Sequence, residues 1–276
     1  MDPRQKADAQ LEAYRAKHAD AVTPEMFAQW GTWIDGAAAF LRDANGEETF
    51  GEVEKGEVRW GLSQKHISGE GIEVGALHNP LRVPDGAQVT YVDKYAPEEL
   101  ALAYYEIANF KFVDVDVIDD GEKLGSFADA SHDFLISNHF LEHCQDPIGT
   151  LLAHARVLRP GGVLYCAVPD ARKTFDSVRE RTPFEHVRRD HVEGPAGSRE
   201  AHYQDWSRTV NQRAGDEHEA WWRLLDALDY SIHFHVWDPG DAKELYARCR
   251  EEFGLPLELR DFVEHADECV AILERV

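Results

Sequence analysis

The residues best equipped for chemistry in this chain are histidines and carboxylates, and they gather at three places. The first is His139, Glu142 and His143. On a helix, positions 139 and 143 share a face with Glu142 beside them, and imidazole with carboxylate is a ligand set that suits a divalent ion. Without a metal, the same groups can touch a cofactor or substrate, or work as acid and base. The second place is Asp170, just after an apolar run, where a carboxylate either orients a substrate hydroxyl or caps the next turn. The third is rich in histidine: His186 and His191, then His233 and His235. Period-two spacing puts His233 and His235 on one face of a strand, which raises a substrate-contact reading beside the structural one. Arg179, Arg181, Arg188 and Arg189 stand near the first two histidines. They either form ion pairs with neighbouring acids or hold an anionic substrate group, Arg189 among them.

A different chemistry is offered by residues 71–80. They read as a short buried strand ending in Glu73, Val74 and Gly75, followed by the turn Ala76, Leu77, His78, Asn79 and Pro80. A second strand, 89–92, ends in Asp93. A glycine there lets the backbone approach a ligand, and an acid closing the next strand can hold ribose hydroxyls. The pair marks a nucleoside site. The turn lacks the further glycines whose amides would cradle a pyrophosphate, which counts against a dinucleotide-dependent oxidoreductase. That enzyme, and a non-catalytic binding module of the same fold, are the rival readings.

These residues need a frame, and the chain supplies alternating strands and helices. Strands are expected at 72–74, 89–92, 113–118, 134–137 and 163–168, the last a continuous apolar run suited to the middle of a parallel sheet. A helix is expected from residue 97 to about 110. Another opens at Asp146 and Pro147 and stops at Arg159, Pro160, Gly161 and Gly162. After residue 171 the composition shifts toward Arg, His, Glu and Trp, and 171–229 reads as a helical cap. A helix at 241–250 follows, and then strands at 257–262 and 268–273, close enough to pair as an antiparallel hairpin. Residues 1–61 read as an N-terminal helical extension, with an apolar stripe at Met26, Phe27, Trp30, Trp33, Ile34, Ala37, Phe40 and Leu41. Residues 62–276 form the main domain.

The chain of 276 residues carries a formal net charge of −23, a field that repels phosphate backbones and acidic lipid surfaces. Nucleic acid and membrane are therefore not expected partners. Cys144, Cys166, Cys249 and Cys269 show no paired spacing. No apolar run approaches the roughly 20 residues of a membrane span. A cytoplasmic protein with a small-molecule substrate is expected.

Taken in order, Glu73-Val74-Gly75, Asp93, Asp133-Phe134 with Leu141-Glu142-His143, and Leu158-Arg159-Pro160-Gly161-Gly162 resemble the class I S-adenosylmethionine-dependent methyltransferases, of the type with a Glu-His pair after the fourth strand. The resemblance runs from residue 71 onward, leaving out most of 171–229. It implies a Rossmann-like sheet, mostly parallel, ending in an antiparallel hairpin, with S-adenosylmethionine as cofactor. By the same resemblance Glu73 anchors the first loop, Gly75 lets the methionine moiety approach, and Ala76 and Asn79 flank it. Asp93 takes the ribose, Asp119 or Asp120 lies near the adenine amino group, and Asn138 and His139 face the methionine end. The family's loop usually continues in glycine and here does not, which a cofactor without phosphate tolerates. Residues 139–143 are also similar to the Glu-x-x-Glu-His run of the metal-dependent ubiquinone-biosynthesis O-methyltransferases, with His139 in the first glutamate's place. The expected activity is O-methylation of a small molecule under the cap. His139, His143, Asp170 and His191 are its catalytic candidates, and His233, His235 and Arg189 its substrate contacts.

Overall fold

A computed structural model of the chain describes residues 50–96, 99–100, 103–104, 107 and 110–276, together with 12, 16–17, 19–20, 22–24, 26 and 28. Apart from Met26, the apolar stripe expected near the N-terminus lies outside the described residues, as does most of the helix expected at 97–110.

Two compact units divide the chain. The larger draws on Glu48–Ala96, Phe112–Arg199 and His233–Val276. Its centre is a seven-stranded sheet in the order β3-β2-β1-β4-β5-β7-β6. The strands are β1 (Glu70–Val74), β2 (Gln88–Asp93), β3 (Val117–Ile118), β4 (His132–Asn138), β5 (Leu158–Pro169), β6 (Leu257–His265) and β7 (Glu268–Arg275). Neighbours from β3 to β5 run parallel, and β7 inserts antiparallel between β5 and β6. The helices bounded within the described residues are α1 (Phe50–His66), α2 (Pro147–Val157), α3 (Phe184–Glu193), α4 (Ala196–Thr209), α5 (Gly215–Ala227) and α6 (Pro239–Phe253).

Strand alternation assigns side chains to two layers. Leu135, Leu164, Cys166, Cys269 and Ala271 face one core with α2 residues Ile148, Leu151 and Ala155 and α6 residues Leu245, Tyr246 and Cys249. Phe134, Ile136, Tyr165, Val270 and Ile272 face the other, with Leu62 of α1. Both faces of the central strands are covered, so those strands read as unbroken apolar runs. Asp146 caps α2 by accepting from the Gly149 amide, with Pro147 in the first turn. Gly71 is required by a close approach, because a Cβ there would lie 2.3 Å from a ring carbon of Phe134 on the adjacent strand.

The second unit draws on Met1–Glu47, Pro97–Lys111 and Glu200–Ile232. Its described part is mainly α5 and most of α4. Tyr203, Trp221, Trp222, Leu224 and Leu225 are buried, and Trp221 Nε1 donates to Asn211 Oδ1 at 2.8 Å.

Three local expectations are corrected. The third strand is only Val117–Ile118, since before it Val113 bonds to Leu77 and Asp116 to Tyr91 of β2 without forming a continuous ladder. The segment 139–143 is not a helix. His139 takes a left-handed φ of 48° and only Leu141–His143 turn, as a 3-10 helix. His233 and His235 lie in an extended segment that belongs to no strand. Its backbone bonds go singly to Glu142, Thr182 and Ala171.

Candidate functional site

The carboxyl ends of β1, β2 and β4 bring the first set of residues together, as the sheet's parallel order dictates. Glu73 is buried, and its Oε1 accepts the Leu81 amide at 2.9 Å, tying the loop after β1 back to the strand. Burial pushes its carboxyl up to about 8. Gly75 follows with a φ of 63°, a conformation glycine takes without strain, and its amide donates to the Val92 carbonyl at 3.0 Å. Ala76 is half-buried and accepts the amide of Asn79, which is exposed; Leu77 closes the turn with a φ of 49°.

Asp93 ends β2 with its Oδ1 accepting the Lys94 amide at 2.7 Å. Burial raises its carboxyl to about 6, against smaller opposing effects of the Lys94 amide and charge. Asp119 and Asp120 serve their own loop. Asp119 accepts the amides of Asp120 and Ser126, and Asp120 that of Glu122 as well as Lys123 Nζ. At the end of β4, Asn138 has both side-chain polar atoms shielded from solvent and without hydrogen-bond partners. Such a group costs about 1–3 kcal/mol when left unmet, and a bound polar ligand would meet it.

His139 is held from the far side of the sheet. Its Nε2 lies 2.7 Å from Oε2 of Glu268, the first residue of β7, while Arg59 of α1 donates to the same carboxylate from Nε at 2.9 Å and Nη2 at 2.5 Å. Burial alone would raise the Glu268 carboxyl, but His139 and Arg59 outweigh it and hold it well below the ordinary range. Burial lowers His139, with Glu268 opposing. Nδ1 of His139 is 3.6 Å from Oε1 of Glu142. Glu142 is 1% exposed, neither of its oxygens has a hydrogen-bond partner, and burial pushes its carboxyl up to about 8.

The second cluster forms beside Glu142. His143 meets His233 edge to face, ring centroids 4.6 Å apart. Nδ1 of His233 is 2.6 Å from Oδ2 of Asp176, whose other oxygen accepts from Arg179 at 2.8 Å. Burial would raise Asp176, yet His233 and Arg179 more than offset it and the carboxyl sits below its ordinary value. One donor atom each from Glu142, His143 and His233 lie within 4.8 Å of one another. Of the residues that the sequence offered as a possible cation set, His139, Glu142 and His143, the last two lie in this group together with His233.

The remaining candidates disperse. Asp170 at the end of β5 is buried and clamped by Arg172, through Nε at 2.8 Å and Nη2 at 2.7 Å, which lowers its carboxyl. His191 faces the α2 cap, Nδ1 lying 3.0 Å from both oxygens of Asp146. Arg189 is exposed and donates to His186 Nδ1 at 3.0 Å. Arg181 pairs with Asp238, and Arg188 with Glu252 at 3.3 Å. His235 turns toward His186 and stacks on Trp237. The residues that the sequence left unremarked are Asp176, Glu268 and Arg59. The signal for Glu268 was an acid heading an otherwise apolar strand. Asp176 carried none beyond its capping context.

Residues 68–166 match the family model described as a methyltransferase domain. No curated protein matches the chain. Among solved structures, the complex between the Trm112 methyltransferase activator of Haloferax volcanii and a methyltransferase is similar at 16% identity over 88% of this chain and 97% of that one, with a TM-score of 0.47. A SAM-dependent methyltransferase from Aquifex aeolicus is similar at 14% identity over 80% and 87%, TM-score 0.40. The N-methyltransferase NodS of Bradyrhizobium japonicum, in complex with S-adenosyl-L-homocysteine, is similar at 14% identity over 83% and 89%, TM-score 0.44.

Proposed function

We propose that the chain, whose residues 68–166 match the methyltransferase-domain model, is an S-adenosylmethionine-dependent methyltransferase that methylates an oxygen of a small-molecule acceptor. The observation that carries this reading is the Asp176–His233 pair placed beside the buried Glu142. A carboxylate can only accept, so the hydrogen of the neutral imidazole lies on Nδ1 of His233. Nε2 is then the ring nitrogen with the lone pair that can take a hydroxyl proton. Arg179 completes the row by keeping Asp176 ionised.

The residues at the strand ends fit the cofactor. Asp93 offers a buried carboxylate to the ribose hydroxyls, and Asn138 offers an amide whose two ends lack partners. Gly75 keeps the backbone open, since a Cβ would stand 3.2 Å from the Phe140 ring. S-adenosylmethionine supplies there a methyl group on a sulfonium, which needs no metal or redox partner to be transferred. The chain's own part is to orient the acceptor oxygen and to remove its proton. His139, fixed by Glu268, borders this space and holds the end of β4 in its left-handed turn.

A second reading is favoured by the clustering of Glu142, His143 and His233. In it the three hold a divalent cation that polarises the acceptor hydroxyl, as in metal-assisted O-methylation. Cation-dependent activity that Glu142→Gln removes would favour it.

The acceptor is small because the acidic field disfavours nucleic acid, and the four buried free cysteines suit the cytoplasm. The test offers radiolabelled S-adenosylmethionine with a panel of small hydroxyl, amino and thiol compounds. Transfer to hydroxyls, lost in His233→Gln with unchanged cofactor affinity, is expected. Transfer confined to nitrogen or carbon would refute the oxygen assignment.

A further inference from the structure

One cluster of ligand-type side chains stands apart from the proposed reaction. His186 and Asp190 lie one turn apart on α3, and the extended segment that follows residue 232 brings His235 against them. His186 Nε2 is 3.0 Å from Asp190 Oδ2. The rings of His186 and His235 meet edge to face at 5.9 Å. One donor atom from each of the three residues lies within 4.8 Å of the others.

The surroundings fix two of these groups. Asp190 is 2% exposed and His235 1%. Ser198 Oγ donates to Asp190 Oδ1 at 2.8 Å, which settles the carboxylate's orientation. Its other oxygen, Oδ2, is buried and has no hydrogen-bond partner. The His235 ring is stacked on Trp237 at 5.4 Å with an interplanar angle of 12°. A buried carboxylate oxygen whose near neighbour, His186 Nε2 at 3.0 Å, makes no hydrogen bond to it is poorly met. Two imidazoles converging on it are the natural companions of a cation, not a replacement for one.

We propose that His186, Asp190 and His235 bind a divalent transition-metal ion of the zinc type. Two nitrogen ligands and one carboxylate suit zinc, whereas magnesium and calcium take oxygen. A fourth position is left for water or another side chain. Ser198 acts as the outer partner that aims the carboxylate, a role that ordinarily raises metal affinity. Binding requires His186 to present an unprotonated nitrogen. When that nitrogen is Nε2, the hydrogen moves to Nδ1 and the exposed Arg189 guanidinium, now 3.0 Å from Nδ1, releases it. The ion would fasten α3 to the segment carrying His235, a clamp independent of methyl transfer.

The test strips the full-length protein with EDTA, reloads it with zinc sulfate, desalts it and measures bound metal by elemental analysis. Wild type and the double variant His143→Asn/His233→Asn are expected to retain about one zinc per chain. His186→Asn/His235→Asn is expected to retain none, with its circular dichroism unchanged. Cobalt substitution should give the visible bands of a tetrahedral site in wild type and in His143→Asn/His233→Asn, and not in His186→Asn/His235→Asn. If the His186/His235 variant fails to fold, Ser198→Ala replaces it and should bind zinc about 10–100-fold more weakly. Zinc retained equally by these variants, zinc lost instead with His143 and His233, or a wild type that holds no zinc would each overturn the proposal.

Discussion

His233 Nδ1 and Asp176 Oδ2 stand 2.6 Å apart although 57 residues separate them in the chain. The pair joins the turn after β5 to the extended segment before α6. His233→Gln is expected to lower kcat by about 10²–10⁴-fold, the usual contribution of a positioned base, and Asp176→Asn to lower it by disturbing the imidazole tautomer. Neither should change S-adenosylmethionine affinity, measured by calorimetry. Asp170→Asn is the contrast. Its carboxylate is committed to Arg172, so kcat should hold while thermal stability falls.

Cofactor binding should depend on pH through Asp93. Burial raises its carboxyl to about 6 in the free protein, so above that value the site carries an ionised acid whose burial cost ribose hydroxyls relieve. Below it the acid is protonated and loses its pull on them. The sign follows: affinity for S-adenosylhomocysteine should be flat above about pH 7 and fall by up to about tenfold per unit below about pH 6. Asp93→Asn should bind about 10–100-fold more weakly, as expected when a charged hydrogen-bond acceptor is lost, and show no such pH dependence.

Arg59 and Glu268 form an ion pair across α1 and β7 with His139 on the same carboxylate. Arg59→Met leaves that carboxylate buried with one partner fewer, and urea unfolding should show a loss of about 3–5 kcal/mol. Adding Glu268→Gln should restore part of it, a non-additive pair. Because the Glu268 carboxyl is held below its ordinary value, its contribution is present above the unfolded carboxylate's range and is lost as pH falls. Wild type should therefore lose more stability on acidification than Arg59→Met does.

Gly75→Ala would place a methyl group 3.2 Å from Phe140 at a φ of 63°. The left-handed backbone alone costs an alanine about 1–2 kcal/mol. A lower melting temperature and weaker cofactor binding are expected together, both readable in one thermal-shift titration.

The sheet was legible because its strands are apolar on both faces, and punctuation by Asp146-Pro147 bounded α2. Glu73, Gly75 and Asp93 were singled out because ligands of such sheets bind at the carboxyl ends of the strands, and the fold sets all three at the ends of β1 and β2. What periodicity misread was the local backbone at the site. Residues 139–143 have helical spacing, yet His139 adopts a left-handed conformation that no spacing rule anticipates. His233 and His235 alternate as in a strand, but the segment makes single bonds to three different loops and its two rings serve different clusters. Glu268 and Arg59 were invisible for another reason. Their meaning lies in a contact between residues 209 positions apart, and one sequence carries no record of such contacts.

The placement of β7 has a consequence for the order of events during synthesis. It is seventh in the chain, yet fifth-strand β5 is its neighbour. Until residues 268–275 have left the ribosome, that edge of the sheet stays open and His139 lacks its carboxylate anchor. The parallel strands from β1 to β4 can pair early. The contact of His139 with Glu268 must wait for the hairpin, so a chain released before residue 268 would hold its parallel strands without that anchor.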